Sequence, residues 1–205
     1  MINMKKISIA FLLFLFSLNS MGQNLDDINK MMEKQQFKEA KTAIDAFLTD
    51  PKNSAKSEGW YFKGRIYNAL SYDKTTPHAD AYELKMQALD AFKKTQQIDT
   101  KDIRLKVEGY KSYLDIYYGL FDLGANFYNE KQFDKAFNAF KNALEVENFI
   151  LTNKFDFPDA KLYPLDTALV LNTAIAAMQS KNEEATIFYY RKLTDGNVAG
   201  ENYRD

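Results

Sequence analysis

The chain contains one histidine, His78, and no cysteine. Metal sites are built from several histidines, thiolates or carboxylates converging on one point. His78 has no second histidine to join it and no dense carboxylate cluster at ligand spacing, so it reads as a solvated residue of a connector, beside Pro77. Without cysteine there is no thiol nucleophile, no disulfide and no lipid-modified cysteine. The phosphate-cradling glycine loop, the Gly-x-Ser-x-Gly nucleophile turn and the helical zinc motif are also missing from the sequence. Asp26, Asp27, Glu183 and Glu184 fall at predicted helix starts, where the helix dipole favours negative charge. These residues point to a protein that is not an enzyme and holds neither cofactor nor metal.

The chemistry that remains is contact chemistry. The sequence carries 13 Tyr and 16 Phe against one Trp and four Pro, and such rings serve both helix interfaces and ligand grooves. Phe155, Phe157, Leu162 and Tyr163 lie in the segment Leu151–Leu165, unusually apolar for a connector. Either these side chains fold back over the core or they form a recognition tip. The net charge is −1 and the acids and bases are interspersed, which gives no reason to expect nucleic acid as a partner.

The first residues have a separate role. Lys5 and Lys6 precede an uncharged apolar run, Ile7–Leu18, too short to span a bilayer as a helix of about 20 residues. Ser20 and Gly22 are small residues suitably placed for cleavage before Gln23. Residues 1–22 are therefore expected to be a signal peptide, the alternative being an uncleaved N-terminal anchor. The expected destination is periplasmic or secreted, with no integral membrane span in the mature chain.

From Asn24 onward the apolar residues recur at helical spacing and almost no strand signal is present. The pattern predicts hairpins over about 24–48, 55–98, 103–147 and 166–193, with a break near Lys34–Gln36 in the first. Asp50–Pro51 ends that first pair. Asp73–Pro77 connects the helices of the second, and Asp166 and Thr167 cap the fourth. The first helix of the third hairpin is predicted to run unbroken from Ile103 to Glu130. Across the hairpins an alanine, a bulky residue four later and an anchor three after that recur at Ala40/Ile44/Phe47, Ala88/Phe92/Thr95, Ala136/Phe140/Ala143 and Ala185/Tyr189/Lys192. The alanines are 48, 48 and 49 residues apart, a spacing typical of stacked supersecondary units.

Leu120, Leu123, Gly124, Phe127, Ala136, Phe140 and Ala143 resemble the pattern of the tetratricopeptide repeat (TPR) family, with Asn148 where that family prefers proline. Trp60, Gly64, Tyr67, Ala88 and Phe92 match it too, but with twelve residues inserted between Gly64 and Ala88. The first and fourth units depart further, with Ile28 and Thr173 where glycine is usual. The resemblance covers residues 23–205. It implies an all-α, TPR-like right-handed solenoid of about four antiparallel helical hairpins with elongated helices and inserted loops. A fifth unit is expected to start at 199–205, placing Tyr203 at its aromatic position.

The same resemblance implies a concave groove lined by the first helices of successive hairpins. Projected onto this chain, it holds Glu58, Tyr61, Arg65 and Asn68, then Tyr118, Phe121, Ala125, Tyr128 and Asn129. Thr167, Val170, Ala174 and Met178 continue it. Tyr61, Arg65, Asn68, Tyr118, Phe121, Tyr128 and Asn129 are the residues expected to grip an extended or helical peptide, unless the rings are spent in packing. The leading expectation is a non-catalytic exported scaffold that binds a protein or peptide in the cell envelope. The alternatives are a carbohydrate-binding helical-repeat protein of the outer membrane and an accessory domain of a longer enzyme.

Overall fold

A computed structural model describes residues 24–195 apart from Asp159 and Pro164. The expected signal segment and fifth unit lie outside the described residues. The described chain is all-helical, with ten helices and one isolated bridge between Phe157 and Ala160. The helices are α1 (Leu25–Glu33), α2 (Phe37–Phe47), α3 (Pro51–Ser54), α4 (Ser57–Ser71), α5 (His78–Ile98), α6 (Ile103–Val107), α7 (Lys111–Asn129), α8 (Phe133–Thr152), α9 (Thr167–Gln179) and α10 (Glu183–Asp195). Among the described residues, no helix is long and apolar enough to cross a membrane.

The eight longer helices pack mainly on the helix before and the helix after them. Three of the four pairs share one turn. After α1, α7 and α9 the chain enters the left-handed region at Gln35, Lys131 and Lys181, with φ of 58°, 59° and 61°. In each case the next amide bonds five residues back: Gln36 to Met31 O, Gln132 to Phe127 O and Asn182 to Ala177 O. These are Schellman closures, which satisfy carbonyls that the ended helix leaves open. They bring the second helix back after only three residues.

Close approach within the pairs depends on two glycines. A Cβ placed on Gly64 would lie 2.5 Å from the Phe92 ring, and one on Gly124 would lie 2.5 Å from Phe140. Phe92 and Phe140 are both buried. The pairs α4–α5 and α7–α8 thus use the same glycine-against-phenylalanine contact, beside the buried alanines Ala88 and Ala136. Helix propensity favours Gly124→Ala by about 1 kcal/mol, whereas overpacking costs about 1–3 kcal/mol. Gly124→Ala is therefore expected to lower the urea midpoint, and adding Phe140→Leu to restore part of it. A stabilised Gly124→Ala would contradict close packing at this contact.

Two helix limits differ from the spacing-based expectation. The predicted helix from Ile103 to Glu130 is broken, because Gly109 and Tyr110 adopt φ of 64° and 55° between α6 and α7. Gly109 reaches this conformation without a Cβ penalty. The break turns Tyr110 onto Phe155, ring on ring at 3.8 Å. The second change is at α8, which continues to Thr152 rather than ending near 147, since Ile150 extends its buried stripe.

The insertion in the second unit is mostly helix. Ten residues of α5 precede Ala88, whereas three of α8 precede Ala136, so α5 gains about two turns at its start. Those turns carry His78 and Ala81 to the flank of α7, directly ahead of Lys85, which stands where α8 has Phe133.

Candidate functional site

Lys85 is the unexpected residue. It occupies the apolar phase of α5, four residues after Ala81 and three before Ala88, and is 1% exposed. Its Nζ donates to Asn68 Oδ1 at 2.9 Å and lies 3.5 Å from the centroid of the Tyr72 ring. Gly119 on α7 makes room for it, since a Cβ there would collide with Lys85 Nζ. Among the described residues no carboxylate comes within ion-pair distance of this amine. Burial pushes its ammonium down to about 7, while the charges of Asp115 and Asp122 act in the opposite direction. A charged group taken from water without a partner favours its neutral form.

A cleft of about 240 Å3 opens beside Lys85, between the end of α4, the start of α5 and the middle of α7. Tyr72, His78, Gly119, Asp122 and Asn126 help to line it. Tyr72 is fixed across the helices by donating its hydroxyl to the Asp115 carbonyl at 3.1 Å. His78 keeps a 41% exposed side chain, as expected, but lies on a helix rather than in the connector. It is the first residue of α5, with Nδ1 2.6 Å from Glu130 Oε1 and its ring edge-on to Phe127.

A second cleft, of about 190 Å3, lies between α7 and α9. Ala125, Tyr128 and Asn129 line it with Phe140, Asn172 and Ile175. The two clefts flank α7, one toward α4 and one toward α9. A wider hollow of about 1170 Å3 follows α10 past Phe137, Leu165 and Phe188. Its walls reach Asp195, the last described residue, and it contains none of the groove residues projected above.

The projected residues divide into exposed and occupied groups. Tyr118 is 47% exposed, edge-on to Tyr117, and Arg65 and Asn129 are exposed. Tyr128 is half-buried against Phe133, and Phe121 against Phe140. Tyr61 donates its hydroxyl to Glu108 Oε2 at 2.9 Å. Burial, with Glu108 beside it, pushes the Tyr61 phenol up to about 12. Asn68 is buried rather than on the groove surface, because its amide is consumed by Lys85 and by Asp115. In the connector, Phe155 stacks on Tyr110 and Tyr113 and meets Phe149 edge-on and Phe157 is buried, while Tyr163 stands out at 59% exposure.

Other charged groups are structural or enclosed. Asp45 accepts from Tyr67 Oη at 2.6 Å and from Lys41 and Lys63 at 2.9 Å, joining α2 to α4. Burial opposes its charge, but these bonds prevail and hold its carboxyl below the usual range. Glu147 on α8 is buried with Oε1 unpaired. Burial and the nearby Asp166 push its carboxyl up to about 7, against the pull of Lys192. Asp166 itself caps α9 through Leu169 N at 2.9 Å and accepts from Tyr117 Oη at 2.6 Å.

Sequence spacing placed Tyr128 and Asn129 beside a cleft but passed over Lys85. The available signal was a lysine in phase with Ala81, Ala88 and Phe92, where the helical stripe calls for an apolar side chain. No protein-family model matches this chain, and no curated protein or solved structure is significantly similar to it.

Proposed function

We infer that this is an exported, TPR-like scaffold that binds a protein or peptide segment along the face made by α4, α7 and α9. The observation that carries this reading is the pair of clefts on the two flanks of α7, each walled by the first helix of a neighbouring hairpin. Tyr118, on the same helix α7, presents a ring with much of its surface free. Alternating ring and amide contacts suit an extended or helical peptide, in which apolar anchors supply affinity and amides fix register. The recurring Schellman turns and the two glycine–phenylalanine contacts support the repeat architecture. Export is supported by Lys5–Lys6 and the apolar run Ile7–Leu18.

Selection of displayed peptides on the purified protein tests the reading. Selected peptides are expected to lose about tenfold in affinity, or about 1.4 kcal/mol, on Tyr128→Ala or Asn172→Ala. They should be unaffected by Lys94→Ala on the exposed side of α5. Peptides indifferent to both groove changes would remove the groove from consideration, and selective binding on a glycan array would favour the carbohydrate reading instead.

A further inference from the structure

We propose that Lys85 is a reactive amine that condenses with small aldehydes entering the cleft between α4, α5 and α7. This assignment stands apart from peptide binding, because it concerns one side chain and one cavity and holds whether or not the groove takes a peptide.

Three geometric facts lead to it. The amine is almost wholly buried, yet Lys85 forms part of the wall of a cleft of about 240 Å3. Its partners within the protein are an amide oxygen and the face of the Tyr72 ring; the ring attracts the ammonium, but neither partner neutralises it as a carboxylate would. Gly119 leaves the room that Nζ occupies. A surface lysine is held charged by water. Here water is largely removed and no carboxylate comes within ion-pair distance; burial outweighs the more distant charges of Asp115 and Asp122, so the neutral, nucleophilic amine is populated near pH 7.

The cleft suits a small neutral electrophile. Asp73 and Asp122 line it together with Lys74 and His78, so its walls carry mixed charge and form no cationic cradle for a phosphate or carboxylate. An aldehyde brings no charge and needs proton transfer, which carboxyl groups provide. In the step proposed, the Lys85 nitrogen lone pair attacks the carbonyl carbon. A C–N bond forms while the C=O π pair moves to oxygen, which takes up a proton to give a carbinolamine. Nitrogen gives up one proton in forming this neutral carbinolamine and its second as the hydroxyl takes up a proton and leaves as water, producing a C=N bond. No oxidant or reductant takes part, and water is the one by-product. Asp122 is the cleft residue assigned to relay the proton to the departing hydroxyl.

Glycolaldehyde with cyanoborohydride converts any imine into a stable secondary amine that peptide mass spectrometry locates. On the folded protein at pH 7, Lys85 is expected to be labelled roughly 10- to 100-fold faster than exposed lysines such as Lys94 and Lys111. This follows from its larger neutral fraction, offset by weaker basicity. The Lys85 rate should level off near pH 7, whereas exposed lysines continue to gain toward pH 10. Asp122→Asn is expected to slow Lys85 labelling several-fold and to leave Lys94 unchanged. In urea-unfolded protein the difference between sites should vanish. Labelling of native Lys85 no faster than that of Lys94, or labelling that appears only after unfolding, would overturn the proposal, and neither result depends on a variant that must fold.

Discussion

Lys85→Met is expected to make the protein more stable at pH 6, by about 2–4 kcal/mol, and to flatten its stability between pH 7 and 10. An unfolded lysine takes its proton near 10.5, but the folded Lys85 does so only near 7. Between those values the unfolded state binds more protons, so stability rises with pH at up to about 1.4 kcal/mol per pH unit. Below pH 7 both states are protonated and the full cost of the buried ammonium is present. Methionine fills similar space without the charge. The gain is reduced because Asn68 Oδ1 loses its donor, which costs about 1–3 kcal/mol when a buried acceptor is left alone. Urea midpoints from pH 6 to 9.5 measure the effect, and parallel curves for the two proteins would rule out a buried charge at this position.

Phe92→Ala is expected to cost about 3–5 kcal/mol, the largest loss at any single position considered. Phe92 is fully buried. It sits on Gly64 and meets Tyr61 and Tyr113 edge-on at 6.3 and 6.2 Å. Truncation would open a cavity where α4, α5 and α7 converge, and the glycine offers no side chain to relax into it. For a domain of this size the melting temperature should fall by about 10 °C or more. Tyr163→Ala, on the exposed connector, should shift it by no more than about 2 °C. Similar shifts for the two variants would mean that the contact between α4 and α5 is much looser than the structure has it.

The alanine ladder carried much of this information in the sequence. Ala40, Ala88 and Ala136 are all fully buried, and the glycines that answer Phe92 and Phe140 were visible at matched positions. Hairpin turns were legible as breaks in apolar spacing, because the Schellman closures occupy three polar residues each. Asp166 was legible as a cap since its carboxylate is a good acceptor for a free helical amide. Less was legible where local and distant forces compete. His78 reads as exposed beside a proline, but Glu130 and Phe127, about fifty residues away, draw it onto the α7–α8 turn. The bend at Gly109 is stabilised by Phe155 from a later connector, which no local pattern announces. Asn68 projects to the groove on a helical wheel, yet Lys85 turns it inward. The spacing limited the connector of the second hairpin to Asp73–Pro77, and most of the twelve inserted residues do fall beyond it, in the first turns of α5. They are helical because Ala81 extends the buried stripe of α5 back from Lys85 and Ala88, and the candidate site is the product of that extension.

The habit of each longer helix to rest on its neighbours in the chain also bears on how the protein is made. Contacts between consecutive helices close short loops, whose entropy cost grows only slowly with length, and low sequence separation goes with rapid folding. The α4–α5 pair has its Gly64–Phe92 contact complete by residue 98, before any residue of α7 needs to exist. The amine of Lys85 then stays open to water until α7 arrives and brings Gly119 against it. A chain growing from its N-terminus would thus bury Lys85, the one buried lysine among the described residues, as a late event, and the order of synthesis would be written into the order in which that charge is lost.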